Sequence, residues 1–270
     1  MTSKQWQLAN DAAQRYEHIA VPAILGPFAK SLVDYADLTT EQVVIDIGCG
    51  TGAAARYAAQ QMKPSSTVIG IDVNASMLAV AQSLPEVEGA SLKWQQDSAD
   101  DLSLDADSVD AILCAQVIQF IPDKTKTLNE MHRVLKSGQS AFLSIWCAIE
   151  ENPYFDALVN VLTKHISPDT AAGLSSAFSL SKLDTIKQTF QETQFSEIKT
   201  DITEHRLLLP PMVEFAPRHL SATPMGASFQ ASSTETQQTI LDELTQSLSE
   251  HQTESGLEVP FSSHLITAQK

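Results

Sequence analysis

Residues 43–52 read Val-Val-Ile-Asp-Ile-Gly-Cys-Gly-Thr-Gly, and Ala-rich sequence follows from Ala53 to Met62. Apolar, mostly β-branched positions ending in three alternating glycines (Gly48, Gly50, Gly52) fit a buried strand that breaks into a tight turn and re-enters a helix. This is how α/β proteins bring backbone N–H groups close to a ligand. Asp46 narrows the ligand. A carboxylate at the carboxyl end of the first strand repels a phosphate and welcomes a cation or an ammonium group, so the turn suits a positively charged nucleoside better than a pyrophosphate.

Strand and helix patterns alternate after this point. Strands are expected at Val43–Ile47, Thr67–Ile71, Ser91–Gln95, Val109–Cys114 and Gln139–Trp146. Helices are expected at Gly52–Met62, Ser76–Ser83 and Thr125–Leu135, the last closed by a Ser137-Gly138 stop. Strands joined by such helices imply right-handed crossovers and a parallel sheet covered on both faces. Beyond residue 150 the expected helices are Pro153–His165, Lys182–Thr193 and Thr236–Ser249. Phe195–Leu209 and Leu257–Ala268 alternate like strands and suggest an antiparallel pair appended to the sheet. The Pro-, Ser-, Thr- and Gln-rich stretch 210–256 between them is too long for a hairpin turn and is read as a cap over the ligand crevice. The domain reading is one unit, 1–270: an N-terminal helical segment or lid (1–40), a nucleoside-binding core (41–150) and that cap.

The formal net charge of −16 disfavours nucleic acid as a partner. Three cysteines, Cys49, Cys114 and Cys147, have no metal-ligand spacing and no disulfide parity. No bound metal is expected, and Cys114 and Cys147 read as small buried hydrophobes of a reducing compartment. The opening Met-Thr-Ser-Lys-Gln-Trp-Gln has no apolar core of a signal peptide, and no unbroken apolar run reaches ~18 residues. The expectations are a cytoplasmic chain, no membrane insertion and a small-molecule substrate; oligomeric state is left open.

Four features fall at successive strand ends, where open parallel sheets bind ligands. They are the Asp46–Gly52 turn; Asp72, able to take both hydroxyls of a ribose; Asp97-Ser98, placed for an adenine amino group; and Cys114-Ala115-Gln116, under the reacting end. Singly each has a plainer reading, since an Asp after a strand commonly forms a turn or caps a helix. Their order and spacing carry the signal.

In this order the segments resemble the class I S-adenosylmethionine-dependent methyltransferases, and within them the small-molecule branch of the ubiquinone/menaquinone-biosynthesis type. Asp-Ile-Gly-Cys-Gly-Thr-Gly is similar to that family's first motif, and Gly-Ile-Asp-Val-Asn-Ala-Ser-Met-Leu to its ribose segment. Asp97-Ser98-Ala99 resembles the adenine segment. Residues 108–120 and 130–138 resemble the fourth-strand and post-fourth-strand motifs. The likeness is close over roughly residues 40–147 and looser over Tyr16–Lys30 and the closing strands. It implies a Rossmann-like, seven-stranded, mostly parallel sheet with helices on both faces and the last pair antiparallel. It also implies S-adenosyl-L-methionine as cofactor. Asp46, Gly48, Cys49, Gly50 and Gly52 would lie near its methionine moiety, Asp72 on the ribose, and Val73 and Met77 against the adenine. Asp97, Ser98 and Ala99 would face the adenine rim, and Cys114 and Ala115 the sulfonium.

A sulfonium methyl is already activated, so catalysis is mostly alignment, which can supply up to about 7–11 kcal/mol. A general base adds about 10²–10⁴-fold where the acceptor is a hydroxyl or a weakly acidic carbon. The candidates are Tyr16, His18 and His219, each with a structural role as the commoner reading. Gln116 and Gln119 are placed to orient an acceptor. Leu207–Met212 and Phe215 suit either an apolar acceptor or a sealed core. Two rivals stay open: a nicotinamide oxidoreductase, since Gly50–Ala55 fits the loose G-x-G-x-x-A fingerprint with Asp72 about 20 residues on, and a non-catalytic nucleoside-binding protein.

Overall fold

The computed structural model describes residues 10–39 and 41–270. The heptapeptide Met1–Gln7, in which no signal sequence was read, lies outside them.

The chain begins as one helical run. Helix α1 (Asn10–Arg15) passes through a π-helical stretch, Tyr16–Leu25, into α2 (Gly26–Ala36). Pro22 within the π-helical stretch has no N–H to give to a regular ladder. This run, Asp11–Ala36, is interrupted by polar residues yet long and apolar enough to cross a membrane by length and composition; here 56 % of its most apolar window is buried within the protein.

The alternating core follows: β1 (Val43–Ile47), α3 (Ala53–Gln61), β2 (Thr67–Asp72), α4 (Ala75–Ser83), β3 (Ser91–Gln96), β4 (Val109–Ala115), α5 (Lys124–Val134) and β5 (Leu135–Trp146). Side-chain caps start several helices: Asn74 accepts the Ser76 N–H at 2.9 Å and Asp123 the Lys126 N–H at 2.9 Å. After β5 come α6 (Pro153–His165), α7 (Pro168–Ser175), α8 (Leu183–Gln191), β6 (Glu197–Leu209), α9 (Met212–Ser221), α10 (Gly226–Ala231), α11 (Thr234–Ser247), β7 (Gln252–Thr253) and β8 (Gly256–Gln269).

The sheet order is β3-β2-β1-β4-β5-β8-β6. The first five strands are parallel, and β8 runs antiparallel to both β5 and β6. This is the expected seven-strand path; the eighth strand, β7, is two residues folding back on β8. The order reverses between β1 and β4, and the crevice beyond their carboxyl ends is where such a sheet takes a ligand.

One boundary differs in kind. Ser137-Gly138 is no helix stop, because β5 already starts at Leu135, paired with Val109. The register then shifts before Ala111 meets Ser140, so β5 bulges, with Gly138 at φ +79°.

The two-residue period of each strand divides the core. Val44, Ala111 and Leu113 pack toward α2 and α3, and Ile45, Ile112 and Cys114 toward α5 and α8. A third cluster joins α6, α7 and the 210–256 helices through Trp146, Tyr154, Phe155, Phe215 and Phe261. Leu209, Met212 and Phe215 belong to it, so these three of the apolar run seal a core, while Leu208 is exposed.

Candidate active site

The glycine turn is built by cross-strand hydrogen bonds. Cys49 N–H donates to the Ile71 carbonyl at 3.0 Å, and Gly52 N–H to the Cys49 carbonyl at 2.8 Å. Asp72 ties two strand ends together: its carboxylate accepts the Gly50 N–H at 2.8 Å and the Asn74 N–H at 2.7 Å. Gly50 has φ +56°, and a side chain there would point toward the Tyr16 ring 4.0 Å away. Gly52 serves packing instead. It caps α3 at φ +90°, and a Cβ there would collide with the Trp94 indole.

Above the turn lies a cavity of about 420 Å³, within the usual range for small-molecule sites. Its floor holds Asp46, Gly48, Cys49 and Gly50, with Ala53 and Ala54 at the start of α3. One side is Asp72, Val73 and Met77, continued by Asp97, Ser98 and Ala99. The other side is Ala115, Gln116 and Val117, with Phe120 to Asp123. Tyr16, Val21, Leu25 and Ala29 of the N-terminal helical run form the roof.

Thus the expected Asp46, Gly48, Cys49, Gly50, Asp72, Val73, Met77, Asp97, Ser98, Ala99, Ala115, Gln116 and Tyr16 share one cavity wall. Five other candidates do not line it. Gly52 is spent on Trp94. Cys114 follows Ile112 onto the α5 face, since alternation puts it opposite Ala115. Gln119 is buried outside the wall formed by its neighbours Val117 and Phe120. His18 is exposed, with Nδ1 2.7 Å from the Gln14 carbonyl. His219 is sealed in the aromatic cluster, stacked on Phe215 and bonded through Nδ1 to the Tyr154 hydroxyl at 2.8 Å; burial lowers its pKa to about 4. No residue of 210–256 lines the cavity. That segment backs the roof, where Arg15 Nε donates to the Ser221 carbonyl at 2.9 Å.

The roof positions Val21 and Leu25, and the Phe120–Asp123 segment, were not picked out in the sequence. The Asp123 cap was the available signal for the latter.

Two side chains are held with care. Gln116 adopts φ +59°, a left-handed conformation uncommon for a non-glycine residue. Its Nε2 donates to Ser263 Oγ at 2.8 Å, and that hydroxyl donates to the Ile145 carbonyl. The Asp97 carboxylate accepts the Ser98 N–H at 2.9 Å and the Ser103 N–H at 2.7 Å, so its own loop holds it.

The wall is acidic. Asp46, Asp72, Asp97, Asp100 and Asp123 line it, and among the described residues no Lys, Arg or His does. Asp46 is 1 % exposed. Its Oδ2 accepts the Ala55 N–H at 3.0 Å, while Oδ1 has no partner among the described residues. Burial pushes its pKa up to about 7, opposed by the Ala55 bond and reinforced by the Asp72 charge. Burial also raises Asp72, against the backbone N–H bonds it accepts. Burial, then the charges of Asp72, Glu17 and Asp46, keep the Tyr16 phenol protonated far above its ordinary range.

Residues 44–138 match the model of the methyltransferase domain family. Over that stretch the chain is similar to the methyltransferase domain family. Curated relatives include the ubiquinone biosynthesis O-methyltransferase of Pseudomonas syringae pv. tomato, 29 % identical over 48 % of this chain and 53 % of the relative. That of Pseudomonas savastanoi pv. phaseolicola is 31 % identical over 41 % and 45 %. The chain spans about half the length of the curated relatives it matches. A methyltransferase from an antibiotic biosynthesis pathway of Anabaena variabilis, described as putative in its own structure, superposes with TM-score 0.63 at 18 % identity over 93 % of this chain and 98 % of that one. Phosphoethanolamine N-methyltransferase 2 of Haemonchus contortus, in complex with S-adenosyl-L-methionine, gives 0.61 at 18 % over 97 % and 58 %. These structures share the fold.

The wall fits S-adenosyl-L-methionine, the ligand in the Haemonchus contortus structure, on three counts. The cavity has the size of a small-molecule site, Gly50 leaves the turn open toward it, and Asp46 presents a buried carboxylate that no cationic side chain among the described residues answers.

Proposed function

We propose that the chain transfers a methyl group from S-adenosyl-L-methionine to a small, partly apolar acceptor that carries no negative charge. The observation that carries the reading is the cavity wall: five carboxylates and, among the described residues, no cationic side chain, beside the apolar Val21, Leu25, Phe120 and Ile121. Such a wall repels phosphate and carboxylate acceptors and admits neutral ones. The O-methyltransferase relatives favour a hydroxyl as the atom modified.

When bound, the cosubstrate supplies an activated sulfonium methyl. Asp72 accepts the ribose hydroxyls, and Val73, 54 % exposed, offers an apolar platform for the purine. Asp46 balances the ligand's positive charge. Gln116, fixed by Ser263, orients the acceptor, and the roof from Tyr16 to Ala29 keeps water out. Alignment in a dry site is the main contribution.

The test is calorimetry with S-adenosylhomocysteine, then transfer of labelled methyl to a panel of phenols, catechols and amines with matched carboxylated and sulfonated analogues. Expected is one nucleoside site, transfer to a neutral hydroxyl compound, and at least ~10-fold lower kcat/KM for its anionic analogue, about 1.4 kcal/mol. Absence of nucleoside binding would sink the reading. Binding without transfer to any member would favour the non-catalytic alternative.

A further inference from the structure

Asp46 is an unusual group to leave facing a cofactor site. It sits at the carboxyl end of β1, 1 % exposed, with one oxygen on the Ala55 N–H and the other with no partner among the described residues. The charged and titratable groups around it offer no compensation. Asp72 at the end of β2 adds a second negative charge, felt at Asp46. Tyr16 from the roof and Cys49 in the turn, both partly buried, and the buried Cys114 on β4 are raised by desolvation and by the Asp46 charge, hence neutral. Among the described residues no Lys, Arg or His lines the cavity. A lone carboxylate in such surroundings holds its proton well into the neutral range, its pKa pushed up to about 7. A cationic ligand reverses that balance, because it rewards the ionised form.

We propose that Asp46 couples the charge of the nucleoside to a proton: the cosubstrate displaces the Asp46 proton on binding, and the product does so less. This rests on the methyltransferase reading above. S-Adenosylmethionine carries one positive charge more than S-adenosylhomocysteine, the sulfonium. Binding of the former leaves a carboxylate facing a cation and one proton released to solvent. When the carbon–sulfur bond breaks and the methyl–oxygen bond forms, the sulfonium charge is lost and the acceptor's hydroxyl proton is left over. Asp46 then regains its affinity for a proton. The cavity thus keeps nearly the same charge before and after transfer, and loses its electrostatic hold on the product. Asp46 acts here through the ligand's charge; the proposal requires no contact with the reacting atoms.

Titration calorimetry of the full chain at pH 6, repeated in buffers of different ionisation enthalpy, counts the protons exchanged. This pH lies well below the ~7.7–8.0 of an α-amino group, so the ligand's own ammonium stays charged. Expected is a release approaching ~1 proton per S-adenosylmethionine bound, falling toward zero by pH 8, and a clearly smaller release with S-adenosylhomocysteine. The affinity for S-adenosylmethionine should weaken by up to ~10-fold per pH unit below 7. Asp46→Asn, which keeps an oxygen for the Ala55 N–H, should abolish the release. No release by wild-type protein, equal release for the two ligands, or a release surviving in Asp46→Asn would each overturn the proposal while leaving nucleoside binding itself intact. A wild-type protein that binds neither ligand refutes the underlying methyltransferase reading instead.

Discussion

At the scale of single residues, neighbouring positions in one motif do different physical jobs. Gly50 opens the turn toward the cavity, whereas Gly52, two residues on, exists to admit the Trp94 indole. Gly52→Ala is therefore expected to destabilise the fold by about 1–3 kcal/mol through overpacking, with further strain from φ +90°. Trp94→Leu in the same chain should recover part of that loss in a denaturant double-mutant cycle; simple additivity would refute the packing assignment. Asp72→Ala should weaken S-adenosylhomocysteine binding by about 1–3 kcal/mol, as for hydrogen bonds to a charged group. Because Asp72 also accepts the Gly50 and Asn74 N–H groups, a small loss of stability should accompany it. Unchanged affinity by calorimetry would remove the ribose role. These acids and glycines were legible because each strand end shows a change of periodicity followed by a polar residue. Cys114 and Gln119 were misplaced for a geometric reason: proximity in sequence does not say which side of a strand or of the 118–120 turn faces the crevice.

At the scale of elements, the parallel sheet and the closing antiparallel pair could be read from period, since buried parallel strands and the late alternating segments look unlike helices; the strand order could not. The bulge at the start of β5 could not, because Ser137-Gly138 after a helical pattern is the same signal a helix stop gives. Only the pairing of Leu135 with Val109 decides it. The roof was read only as a lid somewhere in 1–40, with Tyr16 its one named residue. A π-helical stretch has no clear signature in residue spacing, and the polar 210–256 segment drew attention as the cover. The structure gives that place to Tyr16, Val21, Leu25 and Ala29. A stretch interrupted by Pro22 and away from regular α hydrogen bonding should open readily. Hydrogen exchange with saturating S-adenosylhomocysteine is expected to slow the amides of residues 16–25 by more than those of α5. Equal change in both would show that the roof does not respond to the ligand.

At the scale of the whole molecule, two buried groups set opposing pH dependences. His219 is held neutral, its pKa down at about 4. Its contribution to stability is present above the ordinary histidine range and is lost as pH falls from about 6.5 to about 4, by about 3 kcal/mol. Asp46 behaves in the opposite sense. Its folded pKa of about 7 makes the native state take up protons before the unfolded chain does, so stability rises as pH falls from about 7 toward 4, by about 4 kcal/mol. Urea midpoints between pH 7 and pH 4.5 should separate the two. His219→Gln, which keeps an acceptor for the Tyr154 hydroxyl, should gain more stability on acidification than wild type, and Asp46→Asn should lose more. Identical slopes in all three proteins would refute both assignments.

Strand β8 is the last of the sheet to be made, yet it lies between β5 and β6 rather than at an edge. During synthesis β6 therefore has no partner in the finished order, and its thirteen residues (Glu197–Leu209) wait about fifty residues for the strand that will tie them in. The Asp46 and Asp72 side of the crevice takes nothing from that strand, whereas Gln116 gains its Ser263 partner only when β8 arrives. A nascent chain can thus assemble its ligand-binding half while the far side of the sheet is still open, and ligand present in the cell could hold that half folded until β8 arrives.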